Sequence, residues 1–462
     1  MSTCYRIILL GLSALLALAA STAPDASAGQ RSPSWPLAVT SGVSDQLAWR
    51  PCPIPELPTR ECGELVVPLN YREPQGATIA LAVARVPVPD PAARIGSLLL
   101  SPGGPGEPGI EELPILYAAL PAPLPARFDI VSFDARGVGE SAPVHCFASP
   151  EESAIYFAAE PRVPVGPDEE AALLRSYEDL ARRCGERNAA VLPHLSTFNV
   201  AQDLDRLRQA VGDPQLTYLG ASYGTYLGAT YANLFPDRIR AMVLDGVINP
   251  PSYTSFDHGD GDVVGPDTTP FLRILSNQGS ADTLAAFLEE CAAAGVARCA
   301  FAAPSTAATR AKFDALMDRL RTSPAILIGP AGTLTVSYSL VVATLFQLLS
   351  GPPTWPVLAQ ALQQLDEGDT AAFLTTLEDL GAPPPTEYPN LFEARAAIHC
   401  VDTDNPADPA RYPVMARAAE ERTPYCGLVW TYLSLPCAFW PARDADRYRG
   451  PWDAPPACRS SC

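Results

Sequence analysis

The residue best placed for chemistry is Ser222, in the pentapeptide GASYG at 220–224. A serine hydroxyl is a poor nucleophile unless a sharp turn exposes it beside a base and near donors that stabilise an oxyanion. The apolar run at 216–219 predicts a buried strand before the pentapeptide, and the residues after it predict a helix. This order indicates a nucleophile elbow, so we predict that Ser222 is the nucleophile. The alternative is a glycine-rich turn whose serine only caps the helix.

A second glycine-rich segment, SPGGPGEPG at 101–109, follows another apolar run. Adjacent glycines leave backbone N–H groups open, and such groups stabilise the negative oxygen of a tetrahedral intermediate. We predict that Gly104 and Tyr223 supply this oxyanion hole through their backbone N–H groups. An ordinary tight turn with prolines is the alternative.

The base and the acid that a serine nucleophile requires are harder to assign, because the chain has only 4 histidines. His145 and His399 precede cysteines and His194 lies in a loop, so we expect structural roles for all three. His258, in SFDHGDGD, is the candidate base, and Asp245 is the candidate acid, although AMVLDGV reads more simply as a strand end. No His, Asp or Glu group has metal-ligand spacing, so neither a metal nor another cofactor is predicted.

The elements that must position these residues are typical of the α/β class. Residues 63–88 predict two antiparallel strands around a Gln75-Gly76 turn. Further buried strands and intervening helices predict a mostly parallel sheet flanked by helices, with strands in GSLLLS, FDIVSF, 216–219 and 239–247 and helices at 168–186 and 197–211. After Pro250, residues 268–440 show mostly helical segments without a convincing buried strand, which predicts a helical cap.

The first 28 residues predict a secretory signal peptide. Arg6 precedes an apolar run at 7–20, and Ala26-Ser27-Ala28 offers a cleavage site of small residues. A membrane anchor is the alternative, but an anchor needs about 20 apolar residues and this run is shorter. We therefore expect a protein that is secreted, periplasmic or held in the cell envelope.

Charge and cysteine content restrict the partners and the compartment. The net charge of −19 repels phosphates, so neither nucleic acid nor an anionic membrane surface is predicted to bind the mature chain. Of the 12 cysteines only Cys4 precedes the predicted cleavage site, and export with so many thiols predicts disulfides. Proximity in the sequence predicts four disulfide pairs: Cys52–Cys62, Cys146–Cys184, Cys291–Cys299 and Cys400–Cys437. Cys426, Cys458 and Cys462 have no predicted partner.

Four motifs together resemble one family of enzymes. GGPG at 103–106, DARGVGES at 134–141, GASYGTYLG at 220–228 and LDGV at 244–247 are similar to the proline iminopeptidase and tripeptidyl aminopeptidase branch of the α/β-hydrolases. The likeness extends to ECGELVVPLNY, AIHCVD and CAFWP, and it covers about residues 47–452.

The resemblance implies an exported serine exopeptidase that acts through an acyl-enzyme on Ser222 and releases residues or short peptides from the free amino end of a peptide. It implies an α/β-hydrolase core at 29–250, an inserted helical cap at 251–442 and a short tail at 443–462. In such enzymes acidic residues of the cap receive the substrate's ammonium group. The candidates here are equally consistent with solvated helix faces: Glu289, Glu290, Glu378 and Asp379.

The carboxyl-terminal part departs from the family's pattern. Relatives follow the segment equivalent to Cys437–Pro441 with two further strands, which carry the triad aspartate and histidine, whereas no histidine follows His399 here. We therefore expect the last core strands to be missing, with an open sheet edge and low solubility. Three explanations are open: a truncated or frameshifted reading frame, an inactive pseudoenzyme, or an active enzyme with an unusual base.

Two other functions are also compatible with the sequence. An esterase or lipase-like hydrolase would share the elbow and lack an acidic amine pocket. A catalytically dead peptide-binding protein would bind peptides without turnover.

Overall fold

The computed structural model describes residues 47–160, 162–256, 268–329, 332–379 and 388–453. The predicted signal peptide, His258, Cys458 and Cys462 lie outside the described residues.

The strands are Arg50–Pro51 (β1), Glu61–Pro68 (β2), Thr78–Val86 (β3), Gly96–Ser101 (β4), Phe128–Phe133 (β5), Leu216–Ala221 (β6), Ile239–Asp245 (β7), Ala325–Gly329 (β8) and Gly332–Val336 (β9). The first seven form one mixed sheet in the order β1-β2-β3-β5-β4-β6-β7. Neighbours from β1 to β5 in this order pair antiparallel, whereas β5, β4, β6 and β7 run parallel. The predicted hairpin at 63–88 is confirmed as the pair β2 and β3.

The helices are Gly109–Ala119 (α1), Pro150–Ala159 (α2), Pro167–Asn188 (α3), Thr197–Ala210 (α4), Tyr223–Leu234 (α5), Pro250–Thr254 (α6), Pro270–Arg273 (α7), Ser276–Ala294 (α8), Thr306–Thr322 (α9), Tyr338–Leu349 (α10), Trp355–Glu367 (α11), Thr370–Asp379 (α12), Leu391–Asp402 (α13), Arg411–Arg422 (α14) and Gly427–Tyr432 (α15). Those up to α5 alternate with the parallel strands, as the sequence predicts.

The central strands β4 and β5 are buried along their whole length because helices cover both faces of the sheet. Leu99 points to one face, where it joins an apolar cluster with α4 and α5. Leu98 and Leu100 point to the other face and join a cluster that contains Leu113 of α1. The alternation of side chains along β4 thus fixes which helices lie on which face.

Strand β7 differs from the prediction of a buried strand. It pairs with β6, and no other described strand pairs with it. Val243 is consequently 56% exposed, and Val247, just beyond the strand, is 68% exposed. The apolar sequence of β7 therefore forms an uncovered edge.

The region after Pro250 is mostly helical, but it also contains a hairpin that the sequence analysis did not predict. Strands β8 and β9 pair antiparallel over five residue pairs, from Ala325 with Val336 to Gly329 with Gly332. They form a sheet separate from the seven-stranded one. Each strand is only five residues long. The hydrophobic pattern of so short a segment is hard to distinguish from that of a helix.

All four predicted disulfides are confirmed: Cys52–Cys62, Cys146–Cys184, Cys291–Cys299 and Cys400–Cys437. Cys426 is a buried free thiol. Disulfides persist in oxidising compartments, so this set fits an extracellular protein. Within the described ranges, the helices are too short or too polar to traverse a bilayer.

A buried ion pair between Arg136 and Asp203 joins the loop after β5 to α4. Both side chains are fully buried, and two N–H groups of Arg136 donate to the carboxylate at 2.7 Å. The guanidinium also donates to the carbonyl oxygens of Pro68, Leu69 and His194. One side chain therefore holds the end of β2, the loop before α4 and α4 itself.

We expect Arg136→Met to destabilise the fold by about 3–5 kcal/mol, because it leaves the buried Asp203 carboxylate without its cation. The measurement is the guanidinium unfolding midpoint. The control is Arg182→Met, which removes an exposed ion pair with Asp179 and Glu186 and should leave the midpoint unchanged. Equal midpoints for wild type and Arg136→Met would refute the prediction.

We expect Val243→Lys to reduce self-association of the chain, because a charge on an edge strand opposes edge-to-edge pairing. The control is Val296→Lys, which adds the same charge at a position that is 74% exposed and lies outside any strand. Sedimentation velocity at several concentrations should show less oligomer for Val243→Lys alone. An equal decrease for both variants would indicate a general charge effect and contradict a role for the edge.

Candidate active site

Ser222 lies at the point where the strand order of the sheet reverses. From β4 the chain crosses to β5 on one side and later to β6 on the other. Ligands of open α/β sheets bind at the carboxyl ends of the strands at such a switch point. The glycine-rich loop after β4 and the Ser222 turn after β6 both lie there.

The turn at Ser222 has the geometry of a nucleophile elbow. Ser222 has φ 51° and ψ −119° and lies between β6 and α5. Its N–H donates to the carbonyl of Asp245 at 2.8 Å, and its carbonyl accepts from the N–H of Thr225 at 2.9 Å. A non-glycine residue at positive φ is strained, and it persists where the surrounding structure holds it. The Ser222 side chain is consequently exposed.

The glycine at 220 is required by close packing inside the elbow. A Cβ atom at Gly220 would lie 2.4 Å from the carbonyl oxygen of Gly224 and 2.6 Å from the Tyr218 ring. The Tyr218 hydroxyl donates to that same carbonyl at 2.8 Å. The strand can therefore turn into α5 this tightly only without a side chain at 220.

The loop after β4 packs directly against the elbow. Gly103 has φ 111°, and a Cβ atom there would lie 3.1 Å from the Ser222 Cβ and 3.2 Å from the Tyr223 nitrogen. The structure thus brings together the two motifs that sequence analysis selected, Ser222 with Tyr223 and the loop with Gly104. Both Gly104 and Ser222 line the same cavity.

Two of the described histidines, His399 and His145, make side-chain contacts with residues other than Ser222. His399 lines the cavity, but its Nδ1 hydrogen bonds to the Tyr253 hydroxyl at 2.9 Å and its Nε2 to the Ser434 hydroxyl at 3.0 Å. Burial lowers the pKa of His399 to about 3. His145 stacks on Tyr388, and burial lowers the pKa of both His145 and His194. In the described ranges, no histidine hydrogen bonds to Ser222.

The two candidates for acid and base differ in what the structure describes. Asp245 ends β7 with an exposed side chain, and only its backbone carbonyl contacts Ser222. His258 lies outside the described residues. Within the described part of the chain there is also no cluster of three His, Cys, Asp or Glu residues that could hold a metal ion.

A cavity of about 560 Å³ extends from Ser222 into the helical region. Its walls are largely aromatic and aliphatic, from α2, α10, α13 and α15, with Phe157, Phe346, Phe392 and Trp430 among them. Three carboxylates also line it: Glu107, Glu112 and Glu160. An apolar cavity with a few convergent charges is typical of a small-ligand or peptide-terminus site.

The three carboxylates are compensated to different degrees. Glu107 accepts from Arg395 at 3.2 Å. Glu160 is near Arg162, which opposes the upward shift that burial gives to the pKa of Glu160. Among the described residues, no cation offsets the charge of Glu112 in this way: burial raises its pKa to about 8, and Glu107 and Glu111 add to the rise. Within the described structure, one oxygen of Glu112 and one of Glu160 lack a hydrogen-bond partner.

The acidic residues of the cavity are not those that the sequence analysis selected. Glu289 and Glu290 are exposed on α8 and do not line the cavity, and the side chains of Glu378 and Asp379 lie outside the described part of the chain. A signal for Glu112 was nevertheless present. Helix α1 begins directly after the glycine-rich loop, so the acidic residues of its first turn lie close to that loop.

Residues 96–268 match the family model of the alpha/beta hydrolase fold. The serine protease Hip1 of Mycobacterium tuberculosis (strain ATCC 25618 / H37Rv) is 34% identical over 416 residues, which are 86% of this chain and 75% of that protein. This chain belongs to the α/β-hydrolase family of serine peptidases. It is therefore a serine peptidase or related serine hydrolase, and the predicted α/β-hydrolase fold is confirmed.

The names of two other relatives give different activities. The tripeptidyl aminopeptidase of Streptomyces lividans is 41% identical over 194 residues, which are 41% of this chain and 36% of that protein. Carboxylesterase B of M. tuberculosis (strain ATCC 25618 / H37Rv) is 31% identical over 412 residues, 86% of this chain and 74% of that protein. The family relationship therefore gives the class of chemistry, whereas the substrate has to be inferred from the residues that line the cavity.

We expect Glu112→Gln to stabilise the protein increasingly as the pH rises. A glutamate in an unfolded chain has a pKa of about 4.3, whereas Glu112 in the folded protein has a pKa of about 8. Between these values the unfolded chain loses the proton and the folded protein keeps it, so the stability of the wild type falls. The advantage of the variant should be smallest near pH 4, grow up to about pH 8 and then level off.

The measurement is the difference in unfolding free energy between wild type and Glu112→Gln across this pH range. Gln347→Leu is the control, because it also changes a cavity-lining residue and neither side chain titrates. Its difference from wild type should not depend on pH. A constant difference for Glu112→Gln as well would rule out the raised pKa.

Proposed function

We propose that this protein is a serine aminopeptidase that releases residues or short peptides from the free amino end of peptides. The observation that carries the proposal is the shared cavity: Ser222 lies in the same apolar chamber as Glu107, Glu112 and Glu160. When the carbonyl of a substrate reaches Ser222, the rest of the substrate lies in a cavity whose glutamates attract a positively charged ammonium group. The likeness to a tripeptidyl aminopeptidase over 194 residues supports this choice.

In this mechanism the Ser222 hydroxyl attacks the scissile carbonyl and forms an acyl-enzyme, which water then hydrolyses. The backbone N–H groups of Gly104 and Tyr223 stabilise the oxyanion. His258 is the proposed base and Asp245 the proposed acid; the exposed Asp245 carboxyl projects from the strand end that also holds the Ser222 N–H.

Glu112 is the proposed main contact for the substrate's ammonium group. Since Glu107 already accepts from Arg395 and Glu160 is close to Arg162, Glu112 is the least compensated carboxylate of the chamber. A buried unpaired carboxylate is unfavourable, and an arriving ammonium group would provide both its counter-charge and its missing hydrogen bond.

Export is part of the proposal. The apolar segment at 7–20 with its small-residue cleavage site supports a signal peptide. The four disulfides support an oxidising destination, either outside the cell or in its envelope.

An esterase is the second candidate, because Carboxylesterase B aligns with as much of this chain as Hip1 does. An esterase shares the elbow and the oxyanion donors but does not require a free amine on its substrate. The acidic chamber favours the aminopeptidase over this alternative.

The test compares the hydrolysis of three substrates with the same peptide sequence: an amide with a free amino end, the same amide with an acetylated amino end, and the corresponding ester with an acetylated amino end. We expect the acetylated amide to lose at least about 10-fold in kcat/KM, because a hydrogen bond to a charged group contributes about 1.5–3 kcal/mol. Glu112→Gln should remove most of this preference, whereas the exposed Glu289→Gln should retain it. Ser222→Ala should abolish every activity.

Each other outcome selects a different function. Rapid hydrolysis of the ester without a preference for the free amine would establish the esterase. Binding of the free-amine peptide to the wild type without any turnover, measured by calorimetry, would establish a peptide-binding protein.

A further inference from the structure

The last residue of α13, Asp402, is a buried carboxyl that the proposed mechanism does not use. It belongs to the segment AIHCVD and is fully buried. Its two oxygens both accept from Thr197 at the start of α4: Oδ1 from the backbone N–H at 2.8 Å and Oδ2 from the hydroxyl at 2.6 Å. Asp402 thus caps α4 from a different helix.

The contact continues from Thr197 to the elbow. The Thr197 hydroxyl also hydrogen bonds to the hydroxyl of Tyr223. When Asp402 is ionised, it can only accept, so the single proton of the Thr197 hydroxyl is donated to Asp402 and this hydroxyl accepts from Tyr223. The result is a directed chain from Tyr223 through Thr197 to Asp402, in which all three side chains are buried.

This chain connects two parts of the site. Tyr223 directly follows Ser222, and its N–H is a proposed oxyanion donor. Helix α13 supplies one wall of the cavity, with Leu391, Phe392, Arg395, Ala396 and His399. A contact that holds the Tyr223 ring also constrains the first turn of α5, and a contact that holds the end of α13 constrains that wall of the cavity.

No described ion pair involves Asp402, although it is fully buried. Burial raises the pKa of Asp402 to about 7, hydrogen bonds from Thr197 oppose the rise, and Asp444 and Arg447 exert smaller, opposite effects. A buried carboxyl without a cation is a poor source of stability. Buried carboxyls with a raised pKa are more common at functional sites than elsewhere.

We propose that Asp402 is a positioning residue that holds the Tyr223 peptide unit, and with it the oxyanion site, through the Thr197 hydroxyl. This inference rests on the proposed function, in which Ser222 is the nucleophile and Tyr223 donates to the oxyanion.

The first test does not require turnover. In protein labelled with ¹⁵N-tyrosine, the amide resonance of Tyr223 is assigned by its loss in Tyr223→Phe. We expect Asp402→Asn and Thr197→Val to shift this resonance, and Thr197→Ser, which keeps the hydroxyl, to leave it in place. The control is Glu393→Gln, another buried carboxyl of α13, which instead accepts from Tyr388 and Ser153.

The second test is kinetic. Asp402→Asn and Thr197→Val should each lower kcat about 10- to 100-fold with little change in KM, which is less than the roughly 10²–10³-fold cost of deleting an oxyanion donor. The double variant should be no worse than either single variant, because both break the same chain. Glu393→Gln should retain kcat.

An unmoved Tyr223 resonance in Asp402→Asn overturns the inference. So does an unchanged kcat, or an equal loss of kcat in Glu393→Gln, which would indicate a general effect on α13. Absence of turnover in the wild type, together with absence of labelling of Ser222 by a fluorophosphonate probe, would instead count against the proposed function. The resonance would still decide whether Asp402 holds Tyr223.

Discussion

The strained backbone of Ser222 is the constraint on which the site depends. A non-glycine residue at φ 51° costs about 1–3 kcal/mol and persists only where its neighbours over-determine it. Here β7 accepts from its N–H, α5 donates to its carbonyl and Gly103 packs against its Cβ. The register of β6 with β7 and the path of the loop after β4 must therefore be correct together.

The motif DARGVGES supplies the two anchors that hold this loop and the helices around it. Asp134 accepts from the N–H of Ile110 at 3.0 Å and so fixes the start of α1, directly after the glycine-rich loop. Arg136, two residues later, is buried against Asp203 of α4. Helix α4 begins at Thr197, which Asp402 and Tyr223 both contact. Polar groups thus connect the oxyanion loop, the elbow and the cavity wall through the buried interior.

The sequence predicted the features that depend on neighbouring residues. The buried central strands, the elbow at Ser222 and the four disulfides, which were all predicted from proximity in the sequence, follow from local patterns. The acidic lining of the cavity does not, because it depends on which distant segments pack together. Glu112 and Glu160 are more than 40 residues apart in sequence, and only the folded structure brings them to the same cavity.

The raised pKa of Glu112 reconciles a buried acid with recognition of a charge. An ionised carboxylate in an apolar chamber without a cation would be expensive, and the group avoids this cost by retaining its proton when the pH is below about 8. A bound ammonium group favours the ionised form, so the charge develops where and when its partner is present. The same chamber gives a neutral acetylated end no such gain. Selectivity for an amine thus follows from burial, because burial makes an ionised Glu112 unfavourable unless an ammonium group is bound to it.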